Sequence, residues 1–322
     1  MTILITGAAG FIGFHVAQKL LDAGHDVIGL DNLNAYYNPA LKEARLAQLQ
    51  TNPRFRFFKV DIADPNAMAA VFRGMPWLRT VVHLAAQAGV RYARENPYAY
   101  IDSNVKGTTV LLEQVYNLED APRIVYASSS SVYGRNTKLP FSEEDRAYKP
   151  SSLYAATKRA TELIADAYGS MYDIDLIGLR FFTVYGPWGR PDMAYYAFTE
   201  KLYQGEPLTL FDGGRLKRDF TYIDDIVAGV VASVNLPKAE PLHRIYNLGN
   251  NNPTVVNDFV KILAELTGKI PIIHDEPARS DEVEATYADI TLARRDLGFE
   301  PQTDLRTGLS RFVDWYKTWA KV

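Results

Sequence analysis

The chain has 322 residues, 47% of them hydrophobic and 23% charged, which is enough apolar material for a large buried core. Its formal net charge of −3 offers no basic field for nucleic acid, and the absence of cysteine excludes disulfides, thiolate zinc sites and a cysteine nucleophile. The first residues already form a predicted strand, and no apolar run approaches the ~18 residues of a membrane span. We therefore expect a cytoplasmic protein with no secretory peptide and no membrane partner.

Short β-branched runs alternate with helical patterns up to about residue 182. This alternation predicts an α/β fold, with a doubly wound parallel sheet of the Rossmann type covered by helices on both faces. Beyond residue 182 the alternation stops, and we predict a helix near 195–204 and a strand near 245–249 that returns to the sheet. The other predicted strands are 3–6, 26–31, 55–61, 80–85, 123–128 and 175–181, and the predicted helices include 11–23, 104–116 and 154–172.

These elements suggest two interleaved regions. Residues 1–182 form the predicted nucleotide-binding Rossmann domain. Residues 183–322 form mainly a smaller α/β region that closes over the open edge of the sheet and binds the substrate.

A glycine-rich segment, residues 7–13 (GAAGFIG), lies between the first strand and the first helix. Glycines at such a junction let backbone N–H groups approach a pyrophosphate at the N-terminus of a helix. The spacing of Gly7, Gly10 and Gly13 differs from the usual G-x-G-x-x-G pattern, and a glycine-rich turn without a ligand is the alternative. Its place at the first strand–helix junction favours a dinucleotide site, with Phe11 and Ile12 beginning the helix beside it.

Acidic residues end the second and third predicted strands. Asp31, followed by Asn32, can accept hydrogen bonds from both ribose hydroxyls of NAD and would repel the 2′-phosphate of NADP. A turn-forming aspartate is the alternative for Asp31. Asp61 and Ile62 are expected to flank the adenine in the same way. Small residues after the fourth strand would let the nicotinamide approach closely, and the predicted contacts there are Ala85, Ala86 and Gln87.

A serine run after the fifth strand, residues 128–131, is followed by Tyr154 and Lys158 on one predicted helix. Tyrosine and lysine four residues apart share one face of a helix. A phenol with a pKa near 10 is a poor base at neutral pH, and lowering that pKa by ~3 units requires about 4 kcal/mol of stabilisation of the phenolate. A nearby ammonium and an oxidised nicotinamide can both contribute. A tyrosine and a lysine at this spacing often occur by chance on amphipathic helices. Here the pair follows a serine-rich strand end in a predicted dinucleotide-binding domain, and this combination predicts proton abstraction coupled to hydride transfer.

Four segments make the chain similar to the extended short-chain dehydrogenases/reductases, and within them to the UDP-glucuronate 4-epimerases: residues 127–134 (ASSSSVYG), 152–158 (SLYAATK), 180–193 (RFFTVYGPWGRPDM) and 217–225 (KRDFTYIDD). The resemblance implies that Tyr154 is the general base and that Lys158 contacts the nicotinamide ribose. It implies that Ser129 is the catalytic serine and that the Ser131 hydroxyl faces the sugar.

The same resemblance implies the reaction. UDP-glucuronate and UDP-galacturonate would interconvert by transient oxidation at C4, rotation of the 4-keto sugar and re-reduction, with NAD tightly held throughout. It also implies a homodimer formed through the helices predicted at 104–116 and 154–172.

A 4-keto uronic acid is a β-keto acid that can lose its carboxylate as CO₂, so an epimerase must hold this group without protonating C5. Neutral hydroxyl donors suit that task, and Ser130, Ser131 and Thr183 are the predicted ones. Arg190, in a proline-rich turn, is a second predicted partner for the carboxylate. A surface arginine that stiffens the turn is the alternative, and both interpretations of Arg190 stay open. Dehydratases of this fold carry an acidic pair where this chain has serines.

The resemblance assigns the UDP end to the C-terminal region. Arg218 and Arg279 match two diphosphate-binding arginines of related epimerases, and a guanidinium fork suits phosphate oxygens. Phe211, at a predicted strand end, is the expected stacking partner of the uracil. Taken singly, each arginine is more often a solvated charge and the aromatic more often a core residue.

Two other functions remain open. A UDP-glucuronate decarboxylase that yields UDP-xylose would use the same fold and cofactor, and an NAD-binding regulator without catalysis would use the same frame. Retention of the tyrosine, lysine and serine disfavours the regulator. The five histidines have no ligand-like spacing, so no metal is predicted.

Overall fold

The computed structural model describes residues 1–147, 149–277 and 284–322. Its strands are β1 (Thr2–Thr6), β2 (Asp26–Asp31), β3 (Phe55–Lys59), β4 (Thr80–His83), β5 (Arg123–Ser129), β6 (Leu176–Phe181), β7 (Thr183–Tyr185), β8 (Leu208–Phe211), β9 (Lys217–Tyr222), β10 (His243–Leu248), β11 (Pro253–Val255) and β12 (Ile273–Glu276).

The α-helices are α1 (Phe11–Asp22), α2 (Pro39–Gln50), α3 (Pro65–Arg73), α4 (Pro97–Tyr100), α5 (Gly107–Tyr116), α6 (Leu153–Tyr172), α7 (Ala194–Gln204), α8 (Ile223–Asn235), α9 (Val256–Thr267), α10 (Thr291–Leu297) and α11 (Leu305–Ala320).

A seven-stranded sheet in the order β10-β6-β5-β4-β1-β2-β3 forms the centre of the molecule, and every neighbouring pair in it is parallel. The α/β Rossmann-type sheet predicted from the alternation of strands and helices is therefore confirmed. β10, at residues 243–248, lies beside β6 at one edge. The carboxyl ends of these parallel strands meet at one side of the sheet, where ligand sites of doubly wound folds form.

Each face of the sheet carries its own apolar layer because successive strand residues point to opposite sides. On one face, Ile3 and Ile5 pack with Phe14 of α1 and Val230 of α8. On the other, Leu4 packs with residues of α3, α5 and α6. Burial on both faces explains why the strands are continuously apolar rather than alternating.

Smaller sheets form beyond the central one. β11, β9 and β7 make one sheet, with β7 parallel and β11 antiparallel to β9, and β8 pairs in parallel with β12. None of the described helices combines the length and apolarity that a membrane crossing needs.

One predicted helix begins later than its pattern indicates. The helix predicted from residue 104 becomes α-helical only at Gly107, and a π-helical segment spans Ile101–Lys106. Asn104, within the π-helical segment, also binds the backbone of the loop after β4. Its side-chain amide accepts a hydrogen bond from Gln87 N at 2.8 Å and donates one to Gln87 O at 3.0 Å. Helical segments of this kind often mark functional sites.

Candidate active site

A cavity of about 440 Å³ opens at the carboxyl ends of the central strands. It brings together the glycine-rich segment, the end of β2, the loop after β4, the serine run after β5 and the start of α6. Most of the residues predicted to hold the cofactor line it: Gly7, Gly10, Phe11, Ile12, Gly13, Asp31, Asn32, Ile62, Ala85, Ala86 and Gln87.

The glycine-rich segment fits closely against its surroundings. Gly7 has φ +73°, and a Cβ at this residue would lie 2.7 Å from the backbone nitrogen of Ala85. A Cβ at Gly13 would lie 2.1 Å from the carbonyl oxygen of Gly7. Helix α1 begins here at Phe11 without a side-chain cap. The N-terminus of α1 therefore faces the cavity in the way that a pyrophosphate site requires.

Asp31 is buried at the cavity wall and held by two backbone donors, Ala9 N at 3.2 Å and Leu33 N at 2.8 Å. The Nζ atom of Lys42 lies 3.9 Å from the Asp31 carboxylate. Asp61 does not line the cavity. Its carboxylate accepts a hydrogen bond from Asn32 Nδ2 at 3.1 Å and so holds a neighbour of the predicted ribose site.

Helix α6 places the predicted catalytic pair. The Ser152 side chain caps this helix by accepting from Ala155 N at 3.1 Å, so Tyr154 lies in the first turn and Lys158 one turn later. Both residues line the cavity. Burial raises the pKa of the Tyr154 phenol, while a hydrogen bond with Ser129 and the positive charge of Arg190 act to lower it. The Arg190 charge acts to lower this pKa and the Asp192 charge acts to raise it, and the sequence pattern connected neither residue with Tyr154.

Lys158 is buried, and its Nζ atom donates to the carbonyl oxygen of Ala127 at 2.8 Å. Burial lowers the pKa of Lys158 to about 8, against the opposing effect of the Glu162 carboxylate. This hydrogen bond holds the lysine at the strand end that precedes the serine run. Its pKa of about 8 is close enough to neutral pH for the ammonium to lose its proton in mildly alkaline solution.

The serine run presents several hydroxyl groups to the cavity. Ser129 Oγ donates to Ser131 Oγ at 3.2 Å, and the backbone N–H of Ser131 donates to Ser129 Oγ at 3.2 Å. Ser130, which follows β5, and Thr183, at the start of β7, line the same cavity. The predicted hydroxyl donors therefore lie together with Tyr154.

Arg190 also lines the cavity. Its Nε atom lies 3.0 Å from one carboxylate oxygen of Asp192, and its Nη2 atom 2.5 Å from the other. Although burial disfavours the charged form, Arg190 holds the pKa of Asp192 below its usual range. The Tyr36 hydroxyl donates to the same carboxylate at 3.1 Å. Arg190 is thus paired with Asp192 at the cavity wall, with 21% of its side chain exposed.

The described residues predicted to hold the UDP end do not line this cavity. Phe211 and Arg218 are outside the lining of the cavity, and Arg218 Nη1 donates to the Lys217 carbonyl at 2.8 Å. The Arg91 guanidinium lies 6.0 Å from the centre of the Phe211 ring. Arg279 lies outside the described residues.

A buried polar network contacts the serine run through Ser128. Glu162, 1% exposed, accepts from Ser128 Oγ at 2.6 Å and from Arg180 Nε at 2.8 Å. Arg180 Nη1 reaches the Tyr133 hydroxyl at 2.9 Å, which donates to Asn247 Oδ1 at 2.7 Å. Sequence reasoning missed this network, although a charged residue within the apolar strand 176–181 was a visible signal.

Several further cavity residues were also missed. They come from the segment after Asp31, whose asparagine and aromatic run (NLNAYYN) was the available signal, from α2, from the loop after β4 and from the π-helical segment before α5. They are Asn34, Tyr36, Tyr37, Lys42, Ala88, Gly89 and Ser103. Within the described part of the chain, no group of three or more acidic or histidine side chains is arranged to hold a metal ion.

This chain is similar to known 4-epimerases of nucleotide sugars. The model of the NAD dependent epimerase/dehydratase family matches residues 3–249. UDP-glucuronate 4-epimerase 4 of Arabidopsis thaliana is 49% identical over 330 aligned positions, covering 98% of this chain and 75% of the relative.

Two solved structures show the same arrangement along the whole chain. UDP-glucuronic acid 4-epimerase from Bacillus cereus, in complex with UDP-glucuronic acid and NAD, is 33% identical with a TM-score of 0.92, covering 99% of this chain and 100% of that one. UDP-glucose 4-epimerase from Thermotoga maritima, with UDP-glucose, is 31% identical with a TM-score of 0.88, covering 99% and 100%.

Proposed function

We propose that this chain, which belongs to the NAD dependent epimerase/dehydratase family, is an NAD-dependent UDP-glucuronate 4-epimerase that interconverts UDP-glucuronate and UDP-galacturonate. The observation that carries the proposal is one shared cavity. Tyr154 and the serine hydroxyls line it together with the glycine-rich segment, and Thr183 and Arg190 complete its wall. A UDP-hexuronic acid with its C4 beside Tyr154 would meet a base, hydroxyl donors and a paired cation at once.

The cofactor fits the residues present. The uncapped N-terminus of α1 suits a pyrophosphate, and the buried Asp31 carboxylate suits ribose hydroxyls. NAD, when bound, accepts the C4 hydride of the sugar and returns it to the opposite face. Lys158, which lines the same cavity, would contact the nicotinamide ribose, and a tight hold on the cofactor would let one molecule serve both half-reactions.

Tyr154 would remove the proton from the 4-hydroxyl and give it back after the 4-keto sugar has turned. Ser129 donates to Ser131, and in this proposal both hydroxyls would orient the oxygen at C4. The Arg190 charge favours the phenolate form of Tyr154, which burial alone would oppose. In this proposal the paired arginine would serve the base as well as the substrate.

The carboxylate of the sugar would be held by the hydroxyls of Ser130, Ser131 and Thr183 and by Arg190. Hydroxyl donors stabilise the carboxylate without offering a strong acid to C5. A 4-keto uronic acid held in this way keeps its CO₂ while it rotates. At the other end of the substrate, Arg218, Arg279 and Phe211 would hold the diphosphate and the uracil.

The proposal is tested by incubating the purified protein with UDP-glucuronate, UDP-glucose and UDP-N-acetylglucosamine and following the products by NMR. We expect UDP-galacturonate from the first substrate and little turnover of the other two. Substantial release of CO₂ with formation of UDP-xylose would replace the proposal with a decarboxylase. Bound NAD without any turnover would replace it with a regulator.

We further propose a homodimer formed through α5 and α6. Three large apolar side chains of these helices are exposed: Tyr116 by 46%, Leu163 by 55% and Met171 by 66%. A second copy packed on these helices would cover all three, and contiguous exposed apolar patches mark interfaces. Leu163→Asp should convert a dimer to a monomer in light scattering, whereas Ile270→Asp, at a 93% exposed side chain after α9, should leave the mass unchanged. A monomeric wild type would contradict this arrangement. The proposed compartment is the cytoplasm, where NAD and nucleotide sugars are available together.

A further inference from the structure

The turn that carries Arg190 is anchored almost residue by residue to the cofactor-binding part of the chain. We call residues 187–192 the arginine turn. The carbonyl oxygen of Pro187 lies 3.0 Å from His15 Nε2, on the helix that follows the glycine-rich segment. The next anchors come from α2 and from the segment after Asp31. Arg190 therefore lies in a turn that is held by hydrogen bonds on both sides of it.

Trp188 is held in a strained conformation within the arginine turn. Its φ is +61°, in the left-handed region that a bulky residue rarely adopts. The indole packs on Phe14, with ring centres 5.8 Å apart, and on Trp315 and Trp319 at 5.3 and 5.5 Å. Strain of this kind persists where surrounding contacts over-determine the backbone, and it is enriched at functional sites.

Arg45 joins the arginine turn to the glycine-rich segment. Its side chain is fully buried. Nε donates to the Trp188 carbonyl at 3.0 Å, and Nη2 to the Gly189 carbonyl at 3.1 Å. Nη1 donates to the carbonyl of Ala9 at 3.0 Å and to the Tyr37 hydroxyl at 2.8 Å. Among the described residues no carboxylate lies within ion-pair distance of Arg45, so its hydrogen bonds serve to join backbones.

The second anchor lies on the other side of Arg190. Tyr36 donates to the Asp192 carboxylate, which grips the Nε and Nη2 edge of Arg190. Gly89 leaves room for this group, because a Cβ there would lie 2.5 Å from the Tyr36 hydroxyl. Within the described part of the chain, Nη1 of Arg190 has no hydrogen-bond partner. The guanidinium is thus fixed by one edge and keeps a donor for a ligand.

We propose that Tyr36 and Arg45 are positioning residues that make recognition of the uronate carboxylate depend on the bound cofactor. Tyr36 lies in the segment after Asp31, the residue proposed to meet the cofactor ribose, and Arg45 lies in α2, which follows that segment. Both fix the turn that presents Arg190. This inference rests on the proposed function. A ligand that carries the carboxylate should then increase the affinity for NAD more than UDP does. Because the coupling is reciprocal, NAD should increase the affinity for that ligand by the same factor.

Tyr36→Phe is the sharpest test because it removes one hydroxyl and keeps the ring packed on Tyr92, 4.8 Å away. We expect KM for UDP-glucuronate to rise about five- to tenfold, as loss of one charge-assisted hydrogen bond allows, with the inhibition constant of UDP unchanged within twofold. NAD retention on gel filtration should no longer improve more with UDP-glucuronate than with UDP. Tyr98→Phe, at a 77% exposed tyrosine, is the control and should match the wild type.

Arg45→Lys is the second variant, since a lysine keeps the charge but cannot join three carbonyls. We expect the same selective loss, larger than that of Tyr36→Phe. Equal weakening of UDP-glucuronate and UDP in Tyr36→Phe, or no change in either, would overturn the positioning role. That outcome differs from failure of the proposed function, which would appear as a wild type that does not epimerise UDP-glucuronate.

Discussion

Lys158 donates a hydrogen bond from its buried ammonium group to the carbonyl oxygen of Ala127, the last apolar residue before the serine run. The contact fixes the lysine under the strand end that carries Ser129. It also leaves the ammonium largely without water, so the folded protein holds this charge at a cost.

The cost should be visible as a pH dependence of stability. Burial lowers the pKa of Lys158 to about 8 in the folded protein, while an unfolded lysine keeps a value near 10.4. Between these values the unfolded chain binds more protons, so the contribution of Lys158 to the free energy of unfolding rises with pH. In NAD-free protein, we expect the stability of the wild type relative to Lys158→Met to increase by about 2 kcal/mol from pH 7 to pH 9.5 in denaturant titrations.

The matched control is Lys317→Met, at a lysine whose side chain is 42% exposed. Its stability relative to the wild type should stay constant over the same range. A flat profile for Lys158→Met would show that the ammonium is not destabilised by burial.

Tyr154→Phe should abolish epimerisation while leaving the site intact. The phenylalanine ring keeps the edge contact with Tyr100, whose ring centre lies 6.2 Å away, but removes the proton acceptor. Because general bases contribute ~10²–10⁴-fold, we expect kcat to fall by at least about 100-fold. NAD content by absorbance and UDP affinity by calorimetry should match the wild type. Near-normal turnover would remove Tyr154 as the base.

Local patterns carried most of the fold and the centre of the site. The parallel sheet follows from strand–helix alternation, and the common position of Tyr154 and Lys158 at the cavity follows from their spacing within one helix, since residues four apart share a face. The glycine-rich segment could be placed because its function needs a strand before it and a helix after it. Each of these signals lies within a few residues.

The supports of the site were missed because their partners are distant in the chain. Tyr36 and Asp192 are 156 residues apart, and Arg45 meets the Trp188 carbonyl across 143. The residues next to a tyrosine or an arginine in the sequence do not indicate which distant residue its side chain will contact in the fold. The late start of α5 has a similar origin, because the side chain of Asn104 satisfies the backbone of a loop that precedes it by 17 residues.

Glu162→Gln should destabilise the protein strongly. The carboxylate accepts from Ser128, Arg159 and Arg180 in a site where it is 1% exposed, and its loss leaves the buried Arg180 without its charge partner. Breaking a buried ion pair costs about 3–5 kcal/mol, and we expect a loss of that size in denaturant titrations. Glu300→Gln removes the partner of Arg294 in a pair that is 52% exposed on both sides and should cost less than about 1 kcal/mol. Similar losses in the two variants would contradict a special role for the buried pair.

Arg190→Ala should weaken the use of UDP-glucuronate far more than the binding of UDP. The guanidinium has a free Nη1 donor beside the cavity, and a hydrogen bond to a carboxylate contributes about 1.5–3 kcal/mol. KM for UDP-glucuronate should therefore rise about 10- to 100-fold, with the inhibition constant of UDP within twofold of the wild type.

The substitution also leaves the Asp192 carboxylate without its cationic partner, and its negative charge would raise the pKa of Tyr154. The double variant Arg190→Ala/Asp192→Ala removes both charges and separates the two effects. If carboxylate binding is the role of Arg190, the double variant keeps the raised KM for UDP-glucuronate while its pH profile returns toward that of the wild type. Recovery of KM in the double variant, or an equal loss of UDP-glucuronate and UDP binding in Arg190→Ala, would refute that role and assign the carboxylate to the hydroxyls of Ser130, Ser131 and Thr183 alone.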